Sequence, residues 1–406
     1  MKHTDLLIIG AGTLGTFHAK AALERGLSVR LCERNAAPRD ASVRNFGQVV
    51  PSGMVPKWQA YGRRSVEIYK ALQSQTDITL RQNGSVYLAS DEEELRLLEE
   101  LREINRANDY PSELLNQQQC LEKYPGLRAD YCVGGLFFPT EVTVEAREMI
   151  HRVLAHLTEY QGLQYHPNTL INDLRVVNVS DGTDPAQPAE VRVQGKDGRG
   201  NIFTANRAII CSGGEFKLLF PEHFAASDLV LVKLQMLQTL AKNGPVVPGN
   251  ILTGLSIRRY EAFAECPSWG EVKAGEDPDA FWKKWAVHIL FKQCPDGSYI
   301  LGDSHEYAPA AKADELSFDL YPEVNDYMIR EAGKIFDLPT YTVQRAWAGY
   351  YSQCAHQDIH QETIDGCIHV VTGIGGKGMT AGPGFAEAHI AELYPAKTLT
   401  GETVSS

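Results

Sequence analysis

Two glycine-rich turns, one near each end of the chain, constrain the fold more than any other feature. Near the start, Gly10, Gly12 and Gly15 form G-x-G-x-x-G between the apolar run Leu6-Leu7-Ile8-Ile9 and a helical pattern from about Leu14 to Arg25. Near the end, TGIGGKGMTAGPGF (372–385) stands between CIHVV (367–371) and the helix-like FAEAHIAELY (385–394). A short all-apolar run closed by glycine reads as a strand buried on both faces of a parallel sheet. In the first turn, Gly10 permits the tight bend, Gly12 admits a pyrophosphate against the backbone, and Gly15 lets helix pack on strand. The phosphates would sit at the helix N-terminus, where N–H groups and the macrodipole favour anions. Glu33 ends the next apolar stretch, where a carboxylate can accept from ribose hydroxyls.

This fingerprint alone does not choose among NAD, NADP and FAD; the rest of the chain does. After Glu33 no third strand follows promptly. RDASVRNFGQ (39–48) intervenes, and strand-and-glycine elements resume only near 207–214 and 367–378. A nucleotide fold assembled from three separated pieces suits a long cofactor, with pyrophosphate on the first turn and a flavin ring on the last. Glycines at 375–380 would let backbone donors approach the flat ring and favour its reduced, more negative state.

Helical patterns are predicted over 58–74, 91–107, 143–160 and 323–336, strands over 164–194, and a surface turn at SDGTDPAQP (180–188). The middle, about 228–345, alternates short β-like segments with loops, as an antiparallel sheet does. The expected fold is α/β: a discontinuous FAD-binding Rossmann-like domain (1–76, 140–215 and 340–406) plus a substrate domain with a mostly antiparallel sheet (77–139 and 216–339).

A net charge of −12 disfavours nucleic acid as a partner. No apolar stretch approaches the ~20 residues of a membrane span. The start lacks a signal peptide, which predicts a cytoplasmic protein, monomeric or a small homo-oligomer. The eight scattered cysteines read as buried, reduced thiols, and no Cys/His spacing points to a metal.

On these residues the whole chain resembles the D-amino-acid oxidase superfamily of FAD enzymes, of the GR2/DAO type, especially its glycine oxidase and sarcosine oxidase branch. The matching segments are IIGAGTLG with CER (31–34), SVRNFGQ (42–48), AIICSGGE (208–215), DGSYILGDSHE (296–306), WAGYY (347–351) and GIGGKGMT (373–380). The resemblance implies Thr13 and Leu14 on the pyrophosphate, Glu33 and Arg34 on the adenosine ribose, and Ile171 on adenine. It places Ala41, Ser42, Arg44, Asn45, Phe46, Gly47, Gln48, Ser212, Gly213 and Gly349 along the flavin's path, and Ile374, Gly375, Gly376, Lys377, Gly378, Met379 and Thr380 at the ring's edge.

The departures from the family pattern bear on the substrate. Tyr351 and Gly376 stand where the resembling oxidases carry carboxylate-binding arginines. Gly349 stands where sarcosine oxidases attach FAD through cysteine, and Cys354 is out of register, so FAD is expected to be noncovalent. Ile300 or Leu301 falls where an oxygen-activating lysine is found. SVRNFGQ with GIGGKGMT is similar to a subgroup associated with aminophosphonate breakdown. That implies oxidation of the C–N bond of a relative of 2-aminoethylphosphonate, N-methylated or 1-hydroxylated, by hydride transfer to flavin N5 and imine hydrolysis to an aldehyde. Oxygen or another acceptor would take the electrons.

An anionic amine needs fixed cations. Arg44 and Lys377 adjoin the flavin motifs, with Lys57, Arg258 and Arg259 in reserve. TGLSIRRYEAF (253–263) reads as a strand, so only one of the 258/259 pair would point inward. His305, His288 and Tyr351 are candidate catalytic residues, and Tyr350 and Tyr351 a candidate wall. Two other activities fit the same pattern: a D-amino-acid, glycine or sarcosine-type oxidase, and an FAD-dependent 2-hydroxy-acid dehydrogenase. An FAD-holding subunit with little activity of its own is a third alternative.

Overall fold

The structure is a computed structural model that describes residues 3–179 and 190–395. The surface turn expected at 180–188 lies outside the described residues.

Buried apolar strands at both chain ends meet in one sheet. Its order is His360–Ile364, Ile368–Thr372, Ile202–Ile210, Thr4–Ile9, Val29–Cys32, Gln164–His166. All neighbours are parallel except the first pair, and an antiparallel hairpin, Ile171–Val179 with Glu190–Asp197, pairs with the start of Ile202–Ile210. Helices Thr13–Glu24, Pro56–Gln75, Ala146–Tyr160 and Gly378–Leu393 share a core with this sheet. Thus the two glycine turns, hundreds of residues apart in sequence, follow strands of one sheet that are separated only by Ile202–Ile210.

The last helix begins at Gly378 and runs through Pro383, earlier than the pattern from Phe385 suggests. Several of its glycines serve packing. A Cβ at Gly384 would lie 2.3 Å from the carbonyl oxygen of Tyr61 on helix Pro56–Gln75. Only a bare backbone lets these two helices approach so closely.

The second sheet is antiparallel apart from one parallel pair, Asn250–Leu252 with Ser85–Ala89. Its longest pairing is Leu229–Thr239 against Val343–Cys354. The stretch 343–354, expected with the nucleotide-binding segments, therefore hydrogen-bonds within the second sheet and reaches the first only through its end, where Gln353 bridges Ile374.

The segment TGLSIRRYEAF is not a strand. Gly254–Ile257 is a helical turn with Arg258 as its C-cap, and Glu261–Glu265 is a 3₁₀ turn. Its apolar residues Ile257, Tyr260 and Phe263 recur every three positions, the spacing of a tight helical turn rather than of alternation. Additional short helices, Pro221–Ala226, Trp269–Ala274 and Phe281–Lys284, interrupt the middle region alongside the expected helix, Pro322–Ile335. All eight cysteines are buried and free.

Candidate active site

One cavity of about 700 Å³ runs from the first glycine turn to the second and on to the antiparallel sheet. Its lining contains every cofactor candidate named above except Gly15 and Gly47. Those two act behind the wall. A Cβ at Gly15 would stand 1.9 Å from the Gly10 carbonyl oxygen, and one at Gly47, at φ 73°, 2.1 Å from that of Val144.

The nucleotide end is made chiefly of backbone. Gly10 has φ 98°, and a Cβ there would lie 2.3 Å from the Cys211 carbonyl oxygen, so strand and turn must touch bare. Neither helix Thr13–Glu24 nor helix Gly378–Leu393 has a side-chain cap or an acidic first turn. Both N-termini thus offer N–H groups and a positive dipole end to an anion. Ser42 Oγ accepts from Thr13 N at 2.9 Å and lies 3.1 Å from Thr13 Oγ1. Glu33 is held by Ala11 N at 3.0 Å and by Asn35 N at 2.9 Å. Its carboxylate is buried with its position fixed and lone pairs to spare for ribose hydroxyls. A cradle closed to side chains, with paired helix N-termini and a fixed carboxylate, fits FAD.

The end of the cavity against the antiparallel sheet is made of side chains. Asp303, which sequence reasoning missed, follows strand Tyr299–Gly302, and its carboxylate is the centre of the group. His288 Nε2 lies 2.5 Å from Asp303 Oδ1, and His288 Nδ1 lies 3.3 Å from Ser256 Oγ. His305 Nδ1 is 3.1 Å from the Ala286 carbonyl, which can only accept. Nδ1 therefore carries the proton, leaving Nε2 as an acceptor 3.9 Å from Asp303 Oδ2. Burial would raise the Asp303 carboxyl, but the neighbouring His288, the positive form of His305 at low pH and the Arg259 charge outweigh it and hold it at about 2. Burial, helped by the Arg259 charge, pushes His305 down to about 3, so its imidazole is neutral. The donor atoms of His288, Asp303 and His305 all lie within 4.8 Å of one another, a grouping that could hold a metal ion and that no sequence spacing announced. A guanidinium that bears on both Asp303 and His305 opposes a metal cation there.

That guanidinium is Arg259. It donates to the Ala286 carbonyl and, at 2.9 Å, to Tyr307 Oη. Tyr260, Tyr307 and Tyr351 line the same part of the cavity, with Tyr350 anchored by its hydroxyl to the Ser317 carbonyl at 2.8 Å. Arg258 turns away into Asp91 (2.8 Å), Glu93 (3.2 Å) and the buried Glu94 (2.7 Å), and does not line the cavity. Lys57 is exposed and does not line it either.

Arg44 and Lys377 both line the cavity but are not brought together. Arg44 donates to the Ala348 carbonyl, midway along strand Val343–Cys354, at 3.3 Å, whereas Lys377 bears on Cys354 at the end of that strand. Six strand residues separate backbone positions by roughly 20 Å. Lys377 is moreover already engaged, 3.5 Å from Glu261 and 3.7 Å from Asp358.

The family profile described as DAO, FAD dependent oxidoreductase, matches residues 5–393, so the chain belongs to that family and is an FAD-dependent oxidoreductase. No curated protein matches it in sequence. Among solved structures it is similar to glycine oxidase from Geobacillus kaustophilus, at 17% identity and TM-score 0.73, over 98% of this chain and 96% of that one. It is also similar to L-proline dehydrogenase from P. horikoshii, at 17% identity and TM-score 0.76, over 98% and 95%. A third is L-alpha-glycerophosphate oxidase from Mycoplasma pneumoniae with FAD bound, at 15% identity and TM-score 0.71, over 97% and 95%. At these identities the likeness is one of fold. Among the described residues no helix is long and apolar enough to cross a membrane.

Proposed function

We propose that this enzyme oxidises the carbon bearing the amine of a small anionic amine, with FAD held noncovalently. The observation that carries the reading is the pairing, in one corner of the cavity, of a fixed guanidinium with two buried acceptors. Asp303 Oδ2 and His305 Nε2, 3.9 Å apart, can bracket a substrate N–H. Arg259 and Tyr307 Oη, already joined at 2.9 Å, present donors to the anionic end. The neutral amine is the form whose lone pair can assist loss of hydride, and the neutral His305 imidazole can accept its proton. FAD, when bound, supplies the two-electron acceptor for that hydride. The protein's part is orientation, exclusion of water by the three tyrosine rings, and acceptance of the amine's hydrogen bond.

The substrate proposed is an aminophosphonate related to 2-aminoethylphosphonate. Two of a phosphonate's three terminal oxygens can accept together from the fork of donors on arginine. Noncovalent binding is supported by the thiols near the cavity. Gly349 has none, Cys354 does not line the wall, and burial pushes Cys32 up to about 12. With this reading goes a division in which 1–76, 140–215 and the chain beyond 354 hold FAD, and strand Val343–Cys354 serves both halves.

The test is anaerobic mixing of the holoenzyme with amino acids, aminophosphonates, neutral amines and 2-hydroxy acids, following flavin bleaching. Aminophosphonates should bleach fastest, with release of intact FAD on denaturation. Bleaching by hydroxy acids alone would overturn the amine assignment.

A further inference from the structure

A second cavity, of about 560 Å³, adjoins the first and shares Pro38, Arg39 and Arg44 with it. Val43, Arg147, His151, Trp347 and Ala348 complete the wall. The chain has 51 acidic residues against 39 basic ones. Yet among the described residues none of the Arg39, Arg44 and Arg147 guanidinium groups has a carboxylate within 4.0 Å. Arg39 and Arg147 are exposed and Arg44 half-buried, whereas the deeper Arg258 is matched with Asp91, Glu93 and Glu94.

Two of these guanidinium groups are held in place without being neutralised. Arg44 donates through Nε to the Arg39 carbonyl at 2.9 Å and through Nη1 to the Ala348 carbonyl at 3.3 Å. Its own carbonyl accepts from Trp347 Nε1 at 3.3 Å. Arg147 lies 4.8 Å from the Trp347 ring centroid, a cation–π contact that fixes the plane of its fork. Burial lowers the Arg147 guanidinium below the ordinary arginine range, and the charges of Arg345 and Arg44 add to this. His151 follows Arg147 by four residues on helix Ala146–Tyr160 and so shares its face. Like charges held close together, with unused donors and no internal counter-ion, form a preorganised anion site.

We propose that this pocket binds a tetrahedral oxyanion, a phosphate or phosphonate group, at a site separate from the Arg259 corner. Its place beside the cavity, with Arg44 common to both, suits either the substrate's own phosphonate on its way in or a separate phosphate-bearing ligand. The shared chemistry is the oxyanion on an arginine fork.

The experiment is calorimetric titration of the oxidised holoenzyme with inorganic phosphate in a chloride buffer, with no amine present. Arg147→Gln should weaken phosphate binding by about tenfold or more, the loss of a charge-assisted contact, while FAD content stays unchanged. Arg147→Lys should retain part of the affinity, because charge is kept and the fork is lost. Arg259→Gln should leave this phosphate binding unaltered. If Arg147→Gln is poorly folded, Arg39→Gln reports the same loss. Phosphate affinity indifferent to both variants, or abolished only by Arg259→Gln, would overturn the proposal. Because the readout needs no turnover, its failure leaves the amine-oxidation reading untouched. With the site established, phosphate that slows flavin reduction at low concentrations of anionic amine identifies it as a staging point. Phosphate without that effect identifies a separate ligand.

Discussion

At the nucleotide end of the cavity the chain presents glycine backbone, two uncapped helix N-termini and one fixed carboxylate. At the substrate end it presents a guanidinium, a carboxylate, two imidazoles and three phenols from four separate segments. At Gly10, Gly15 and Gly47 the first end has no room for an added Cβ, because main-chain atoms there pack on main-chain atoms. The second can exchange side chains without disturbing the fold, because its residues project from an antiparallel sheet and its loops. Conformation is thus fixed at the glycine turns, and chemistry is adjustable where the cavity meets the antiparallel sheet.

The largest effect that would break this contrast is at Gly15. Gly15→Ala places a methyl 1.9 Å from the Gly10 carbonyl oxygen, a backbone clash. It should cost at least the ~1–3 kcal/mol of overpacking and abolish flavin retention, read by flavin content and Tm. Gly376→Ala, where an added Cβ meets nothing within 4 Å, should leave both unchanged, although it belongs to the other glycine turn. Gly376→Arg should fold equally well and slow flavin reduction by filling the cavity.

The paired arginines sharpen the comparison. Arg258→Ala leaves the buried Glu94 without its cation and should cost about 3 kcal/mol or more of stability, with substrate affinity retained. Arg259→Gln should do the reverse. The half-saturating concentration for anionic amines should rise about tenfold to a hundredfold, and that for neutral amines less, with unchanged Tm. Lys377→Ala should have a smaller effect than Arg259→Gln, since Glu261 and Asp358 already compensate that charge.

Acid separates the two ends differently. Behind the first glycine turn, His18 Nε2 meets His389 Nδ1 at 2.9 Å, and burial lowers His18 to about 3 and His389 and His369 to about 4. A histidine whose folded pKa lies below its unfolded value binds its proton more readily when unfolded. The stability this represents is complete above pH 6.5 and is lost as pH falls towards 4. Each such group contributes a slope of at most about 1.4 kcal/mol per pH unit. Melting temperature should therefore decline from pH 6.5 downward, and His389→Gln should flatten the decline. The Asp303 carboxylate, held at about 2, should remain ionised throughout that range.

The sequence alone determined the α/β class and the cofactor, and its cofactor candidates line the cavity apart from Gly15 and Gly47. The glycine turns are local signals, since a buried strand, a glycine turn and a helix N-terminus follow one another within about fifteen residues. The choice of FAD, by contrast, came from the order of three separated pieces and from the family resemblance. Only the tertiary structure decided the substrate end. Asp303 is one carboxylate among many until the chain brings His288, His305 and Arg259 against it from segments with no shared periodicity. The same holds for Arg258 and Arg259, neighbours in sequence. On the helical turn ending at Ile257, successive residues point about 100° apart. One guanidinium is therefore carried into the acids of helix Glu92–Ala107 and their cap, and the other into the cavity. Which of them meets a ligand depends on long-range packing, and no local pattern encodes it.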